Sequence, residues 1–371
     1  MTVLDQNIFD GFVCTRFDSE DAICQKLSEL ARNNPPDGTN KYLFRGQQQR
    51  YKRPWPPEDK PTSQGTCLPN HSLTIEGLLP SDYRGLEEEI AKGIPKANLE
   101  PKYGQHIANV RALLTTYLIQ CHSKWYTGAV QKWYRGLTSD KAAKLLSIGQ
   151  HYGFRSCYLD VTGDWEVAVW FATHGWKNGE YLASNGGGND NKGSEDDAVV
   201  YVFHYQKLLA AAKDANDIIG GISQPTPCGV VEILDTPAEL APRARCQSGA
   251  SIFGLDSPYF LQAAILKKAV ECWSFKRGSK PAGCNCLAKQ HLVPPYDEMA
   301  NLYQGLHDPC NRRAAQDWVA RNYPDNAPQD CDFDELFACK PIASNVPNDR
   351  TSFNPRAASR KRFPQCNQAK K

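Results

Sequence analysis

The segment from residue 149 to residue 172 constrains the fold of this chain more than any other. It contains a helix end, a glycine, a short apolar stretch, a polar corner and a second apolar stretch of helical length. Gly153 is a natural left-handed helix stop. Residues 156–159 are predicted to form a buried strand, and Asp164 is predicted to cap a helix over 165–172. Such a corner presents polar groups on a rigid support, so it is a candidate site.

Length and charge limit the possible classes of protein. The 371 residues predict about two domains, or one large domain with insertions. The 43 basic and 41 acidic residues leave a net charge of +2, which predicts no strong attraction of the whole chain to nucleic acid or membrane. The sequence shows no export signal and no apolar run of about 20 residues. We therefore expect a soluble, cytoplasmic protein without membrane partners.

The chain has 14 cysteines, which is a high number for such a protein. Without an export signal, thiols rather than disulfides are the expected state. A structural zinc site would need two close cysteine pairs, whereas the C-terminal cluster has one C-x-C, at Cys284 and Cys286, with scattered partners. We therefore predict buried or tolerated thiols and no metal.

Apolar periodicity places the elements before residue 160. A helix is expected near residues 19–33, followed by a strand at 41–44 that carries Arg45-Gly46 at its end. The polar, proline-rich segment 47–79 reads as a loop insertion. A helix start is expected at 87–89. Two further helices are expected, an amphipathic one over 107–118 and one that begins at 138–140 and leads into the corner.

The second half of the chain is predicted to hold most of the sheet. The clearest strand is 198–203, and further strands are expected at 230–234 and, with a glycine bend, at 243–253. Residues 263–269 fit either a strand or a helix, and residues 184–193 have the composition of a flexible loop. A short helix is expected at 314–319. The basic tail 350–371 carries no acidic residue and is predicted to be disordered.

Three separated motifs follow one another along the chain. The first is Phe44-Arg45-Gly46-Gln47. The second is Gln150-His151-Tyr152-Gly153 with Leu159-Asp160-x-Thr162 and Ala168-Val169-Trp170-Phe171-Ala172. The third is Arg243-Ala244-Arg245-Cys246-Gln247-Ser248-Gly249. Together they resemble the signatures of the FRG domain family. The departures from the family pattern are Arg155 for proline, Ser156 for threonine, Tyr158 for leucine and a phenylalanine delayed to position 253.

The motif order is similar to that of ADP-ribosyltransferases, which bind NAD in the cleft of a split sheet. The resemblance implies an α+β fold with a mixed or split β-sheet, flanking helices, helical N-terminal elements and a poorly ordered basic tail. It implies an FRG-like domain over residues 18–306 with the insertion at 47–79. A short helical extension over 307–349 and the tail would follow.

The resemblance also implies cofactor-binding roles. Arg45 would bind a phosphate of NAD, because a guanidinium fork suits phosphate better than a lysine does. Its alternative role is a structural ion pair with Asp160. His151 would contact a ribose or the diphosphate, or else satisfy helix carbonyls. Gln150, Tyr152 and Asp160 would line the same site, and Asp160 can equally bond nearby backbone amides.

Two residues are the candidates for catalysis. Thr162 would orient a substrate hydroxyl, although as a corner residue it can equally bond nearby N–H groups. Gln247 stands where a transferase needs glutamate, and an amide is a poor substitute for a carboxylate in charge stabilisation or proton transfer. Glu232, on the preceding strand, is a possible replacement. We expect five side chains to converge on one cleft, those of Arg45, His151, Asp160, Thr162 and Gln247.

Three functions follow from these residues. The first is an NAD-dependent ADP-ribosyltransferase or NAD glycohydrolase in a toxin or defence setting, acting on a nucleotide with a protein or nucleic-acid acceptor. The second is a non-catalytic module that binds a nucleotide, another small molecule or a partner in the same cleft. The third is nucleic-acid binding through Arg50, Lys52, Arg53, Trp55 and the tail.

Overall fold

The computed structural model has two compact units, each assembled from three separated parts of the chain. The first comprises Met1–Leu79, Leu159–Val230 and Gln247–Lys289, and the second comprises Pro80–Tyr158, Val231–Cys246 and Gln290–Lys371. The structure describes residues 14–33, 42–49, 52–54, 62–63, 66–67, 74–76, 78, 92–93, 105–122, 128–134, 139–152, 154–156, 158–177, 180–183, 197–211, 229–233, 236–237, 240–253, 269–276, 292, 297–306 and 308–326.

A mixed sheet forms the centre of the first unit. Its strands are β1 Cys14–Phe17, β2 Tyr42–Gln47, β7 Leu159–Thr162, β10 Asp197–His204, β11 Gly229–Glu232, β12 Gly249–Phe253 and β13 Val270–Lys276. They follow the spatial order β1, β13, β10, β2, β7, β12, β11. The pair β1–β13 is parallel, whereas β13–β10, β10–β2, β2–β7 and β7–β12 are antiparallel.

Short antiparallel pairs accompany this sheet. Part of the segment predicted as a loop insertion forms β3 with β6 and β4 with β5, and β8 pairs with β9. Their bounds are β3 Lys52–Pro54, β4 Thr62–Ser63, β5 Thr66–Cys67, β6 Thr74–Glu76, β8 His174–Lys177 and β9 Glu180–Ala183. The described part of the insertion is therefore not a bare loop.

The two faces of the main sheet carry separate apolar clusters. On one face, helices α1 (Glu20–Arg32) and α5 (Trp165–Thr173) cover Phe44 and Val200. On the other face, Leu43 packs with residues such as Val199. Because β10 contributes to both clusters, its interior is buried on both sides, which explains its unbroken apolar sequence.

Gly46 is required where α5 crosses β2. A Cβ atom at this position would collide with the main-chain carbonyl of Ala168 and the amide nitrogen of Ala172. These two alanines lie one helical turn apart, so they present small side chains on the helix face that packs against the strand. The glycine of the first motif and the alanines of the second therefore meet in one close helix–strand contact.

The described residues of the second unit form helices and turns, apart from Val231 and Glu232 at the end of β11. Its helices are α2 Gln105–His122, α3 Ala129–Tyr134, α4 Ser139–His151, α6 Pro242–Cys246, α7 Glu298–Gly305 and α8 Pro309–Asn322, and a 3₁₀ turn spans Pro324–Asn326. One apolar cluster, which includes Leu114, Leu145 and Leu302, joins them. The predicted amphipathic helix is instead buried all round from 110 to 119, because the other helices of this unit pack against it.

Several element predictions are confirmed. The first helix is α1, and Ser19 caps it by accepting a hydrogen bond from the Ala22 amide at 3.2 Å. The strand at 198–203 is β10, the helix at 314–319 lies within α8, and Asp164 caps α5. The predictions for 87–89, 184–193, most of 263–269, the tail and most of the C-terminal cysteines lie outside the described residues.

Three strand predictions are wrong in their bounds. The strand after Lys41 does not end before Arg45 but runs on to Gln47, because β10 pairs with it throughout. The predicted strand 156–159 begins only at Leu159, since the Ser156 hydroxyl accepts a hydrogen bond from the Tyr158 amide and holds a turn. In 243–253 the first part is helix α6, whose Arg245 amide bonds the Ala241 carbonyl, and only residues from Gly249 pair with β7.

We predict that Gly46→Ala destabilises the first unit by about 3 kcal/mol or more, because a main-chain carbonyl cannot move aside without shifting a helix. Gly175→Ala is the matched control, since the added Cβ would meet only the flexible end of the Gln48 side chain. Urea denaturation followed by circular dichroism measures both. Equal stability of the two variants would show that α5 does not lie against β2 as described.

Candidate functional site

The corner between β7 and α5 is held by the Thr162 side chain. Its hydroxyl donates to the Gln247 carbonyl at 2.6 Å and accepts from the Asp164 amide at 3.0 Å. The Asp164 carboxylate in turn accepts from the Glu166 amide at 2.9 Å and caps the helix. The polar residues of the corner therefore bind main-chain groups, which is the alternative role that the sequence left open for Thr162.

The chain before β12 is fastened to the same corner. The Ser248 carbonyl accepts a hydrogen bond from the Gly163 amide at 2.9 Å, next to the contact between Thr162 and Gln247. Ser248 has a φ of 45°, a left-handed conformation that a non-glycine residue adopts at some cost. Gln247 is buried in the turn before this strand, not within a strand as predicted.

Arg45 contacts β7 through the main chain of that strand. Its Nη1 atom donates to the Asp160 carbonyl oxygen at 2.6 Å. This contact lies where β2 and β7 share a single ladder pair, Phe44 with Thr162. The guanidinium therefore links the two strands next to the single residue pair that joins their backbones.

The candidate side chains of the first unit lie on two faces of the sheet. Because side chains alternate along a strand, Arg45 and Gln47 share the face of Leu43. On β7, Leu159 and Val161 belong to that same cluster, so Asp160 and Thr162 lie on the opposite face, towards α5. Arg45, Asp160, Thr162 and Gln247 are thus brought together, but through main-chain contacts and not by convergence of their side chains.

One polar group on the face of Arg45 was given no role by the sequence. The Gln47 side chain is 9% exposed, and its Oε1 atom has no hydrogen-bond partner among the described residues. A buried carbonyl oxygen of this kind normally finds a donor. The first motif contains Gln47, but only the tertiary structure shows that its amide oxygen is buried and has no partner in the part of the chain that the structure describes.

The other candidates lie at the end of helix α4 in the second unit: Gln150 and His151 are its last residues, and Tyr152 follows it. The His151 carbonyl accepts a hydrogen bond from Arg243 at 3.1 Å. Tyr152 is 4% exposed and stacks on Tyr303 with 5.0 Å between ring centroids. Burial raises the pKa of Tyr152 well above its ordinary value of 10.0, so this residue serves as a core aromatic group in its own unit.

A buried ion pair accompanies Tyr152. The Arg243 Nε atom lies 3.5 Å from Asp297 Oδ2, with 8% and 4% of the two side chains exposed, and the guanidinium lies 5.1 Å from the centroid of the Tyr152 ring. Burial raises the pKa of Asp297, and the neighbouring Arg243 and Tyr152 act in the opposite direction. Asp297 was not identified from the sequence, although its place before α7 marks it as a helix cap.

No protein-family model, curated protein or solved structure matches this chain. Within the described residues, no group of three or more His, Cys, Asp or Glu side chains is suited to hold a metal ion. No helix in that same part of the chain is long and apolar enough to cross a membrane. The roles assigned to the candidate residues through the family resemblance stay predictions.

We predict that Thr162→Val lowers the free energy of unfolding by about 1–3 kcal/mol, because the Gln247 carbonyl and the Asp164 amide lose their partner. Thr162→Ser keeps the hydroxyl and should recover most of this loss. Urea denaturation measures both variants. A Thr162→Val protein as stable as the wild type would contradict the structural role of the hydroxyl.

A second prediction concerns pH. Since the pKa of Asp297 is higher in the folded chain than its ordinary value of 3.8, the folded state binds this proton more tightly. Its contribution to stability is full below about pH 3.8 and is lost as the pH rises through the folded-state pKa. Asp297→Asn removes the titration and retains an N-cap residue.

The difference in unfolding free energy between wild type and Asp297→Asn should therefore change as the pH rises above about 3.8, in the direction of a less stable wild type at higher pH. Urea denaturation at a series of pH values measures it. The variant loses the partner of Arg243 at every pH, so the slope and not the offset is the readout. Parallel curves for the two proteins would contradict the raised pKa.

Proposed function

We propose that the first unit binds a dinucleotide of the NAD type beside the junction of β2 and β7, with Arg45 as the ligand of the diphosphate. The observation that carries this proposal is the arrangement of Arg45 and Gln47, which lie on one sheet face where the pairing of β2 with β7 consists of one residue pair. The resemblance of three sequence motifs to those of the FRG family supports the same assignment.

The chemistry of the two side chains suits this ligand. The Arg45 guanidinium donates to the Asp160 carbonyl. Its positive charge and planar fork of N–H donors suit the oxygens of a phosphate group. The Gln47 Oε1 atom can accept a hydrogen bond from a ribose hydroxyl or a carboxamide N–H, which would satisfy a buried acceptor. A dinucleotide carries both kinds of group.

The geometry favours binding over group transfer. Gln247 has no carboxylate to stabilise a positively charged transition state, and the Thr162 hydroxyl is already engaged with main-chain groups. Glu232, the possible replacement, is the last residue of β11, the strand at the edge of the main sheet. A non-catalytic nucleotide-binding module is therefore our first proposal, and ADP-ribosyl transfer or NAD hydrolysis in a defence setting is the second.

Nucleic-acid binding finds no further support. Arg50, Trp55 and the tail lie outside the described residues, and only the backbone of Lys52 and Arg53 is described. The near-neutral net charge also provides little attraction for a polyanion. This function stays a prediction from the sequence.

We predict that the wild-type protein binds NAD in equilibrium dialysis and that Arg45→Met weakens binding about tenfold or more, the loss of a charge-assisted hydrogen bond. Arg45→Lys should recover part of the affinity. Arg16→Met is the matched control, because Arg16 forms an ion pair with Asp197 on the same sheet and its side chain is 64% exposed. Gln47→Leu should weaken binding without removing a charge.

The same samples distinguish the two proposals. Nicotinamide release by the wild type that is lost in Arg45→Met would favour the enzyme, and binding without release would favour the module. Circular dichroism of each variant confirms that it is folded. Absence of NAD and ADP-ribose binding by the folded wild type, at millimolar ligand, would refute both.

A further inference from the structure

Two cysteines face each other across neighbouring strands of the first unit. Cys14 begins β1 and Cys272 lies in β13, and the parallel register places them directly opposite each other. Their sulfur atoms are 2.6 Å apart. Both side chains pack with the apolar cluster on the face of Leu43, so they lie on the same side of the sheet.

The backbone geometry permits a bond between them. Adjacent strands are about 4.8 Å apart, which falls within the range of Cα separations that a disulfide spans, about 4.4–6.8 Å. The two sulfurs already meet, so the bond requires only a small change in side-chain torsion. Of the other cysteines whose side chains are described, Cys24 lies in α1 on the opposite face, and Cys246 and Cys310 lie in the second unit.

Exposure differs between the two thiols. Cys272 is 1% exposed, whereas Cys14 is half-buried on the strand at the edge of the sheet. A small oxidant in solution therefore reaches Cys14 first, and Cys272 is in position to react with the product. This is the arrangement of an accessible thiol beside a resolving thiol.

We propose that Cys14 and Cys272 form a reversible disulfide, which makes this pair an oxidative modification site of the first unit. The Cys14 thiolate attacks one oxygen of a peroxide, the O–O bond breaks, and a sulfenic acid forms with release of water or an alcohol. The Cys272 sulfur then attacks the Cys14 sulfur and expels a second water. Two thiols lose two electrons and two protons in total, and one peroxide is reduced.

The bond would attach an edge strand to the sheet. The two cysteines are 258 positions apart in the chain, so the disulfide closes a very long loop and restricts the unfolded state strongly. It would also stop β1 from separating from β13 by local opening at the edge. Oxidation should therefore raise the thermal stability of the first unit.

The test uses the full chain, first reduced and then treated with hydrogen peroxide. Remaining thiols are alkylated, and tandem mass spectrometry searches for a cross-linked peptide that contains Cys14 and Cys272. Cys14→Ser and Cys272→Ser are the test variants, and Cys24→Ala is the matched control. Thermal melting of oxidised and reduced wild type is a second measurement that requires no variant to fold.

The expected result is a Cys14–Cys272 peptide in the wild type and in Cys24→Ala, its disappearance on addition of dithiothreitol, and a rise in Tm of about 5 °C or more on oxidation. The cross-linked peptide and the rise in Tm should both be absent in Cys14→Ser. The exposed thiols of Cys246 and Cys310 report that the oxidant has acted. Oxidation of those two with Cys14 and Cys272 still alkylated would overturn the proposal.

Discussion

The close approach of α5 to β2 at Gly46 is the contact on which the first unit depends. It is possible because Gly46 lacks a side chain and because Ala168 and Ala172 present methyl groups on the facing side of the helix. With α5 seated there, Phe44 is buried beneath the helices and the alternation of β2 turns Arg45 and Gln47 to the other face. The steric constraint at Gly46 thus determines the face of the sheet on which Arg45 lies.

The polar corner that follows β7 is held by hydrogen bonds within the chain. Thr162 binds the Gln247 carbonyl and the Asp164 amide, and Asp164 caps α5, so the corner positions the helix that covers β2. Two of the residues that the family motifs mark are therefore satisfied by hydrogen bonds within the chain. Arg45 and Gln47 lie on the other face, where Arg45 bridges to β7 and the Gln47 amide oxygen is buried.

The second unit buries a pair of charged side chains in a helical core. Arg243 contacts the Asp297 carboxylate, the His151 carbonyl and the Tyr152 ring, so one guanidinium links three segments that are far apart in the sequence. Such a pair adds little net stability compared with apolar residues, but the loss of one partner is costly. We attribute to it a role in selecting one arrangement of these helices.

Local signals in the sequence were sufficient for helix α1, for the cap at Asp164 and for strand β10, because capping and apolar patterning depend on residues close together in the chain. Tertiary structure decided the rest. It set the start of β7 at Leu159, made residues 242–246 a helix, assigned Arg45 and Thr162 to opposite faces and brought Cys14 against Cys272. Each of these outcomes depends on a partner supplied by a distant segment, whose position no local pattern encodes.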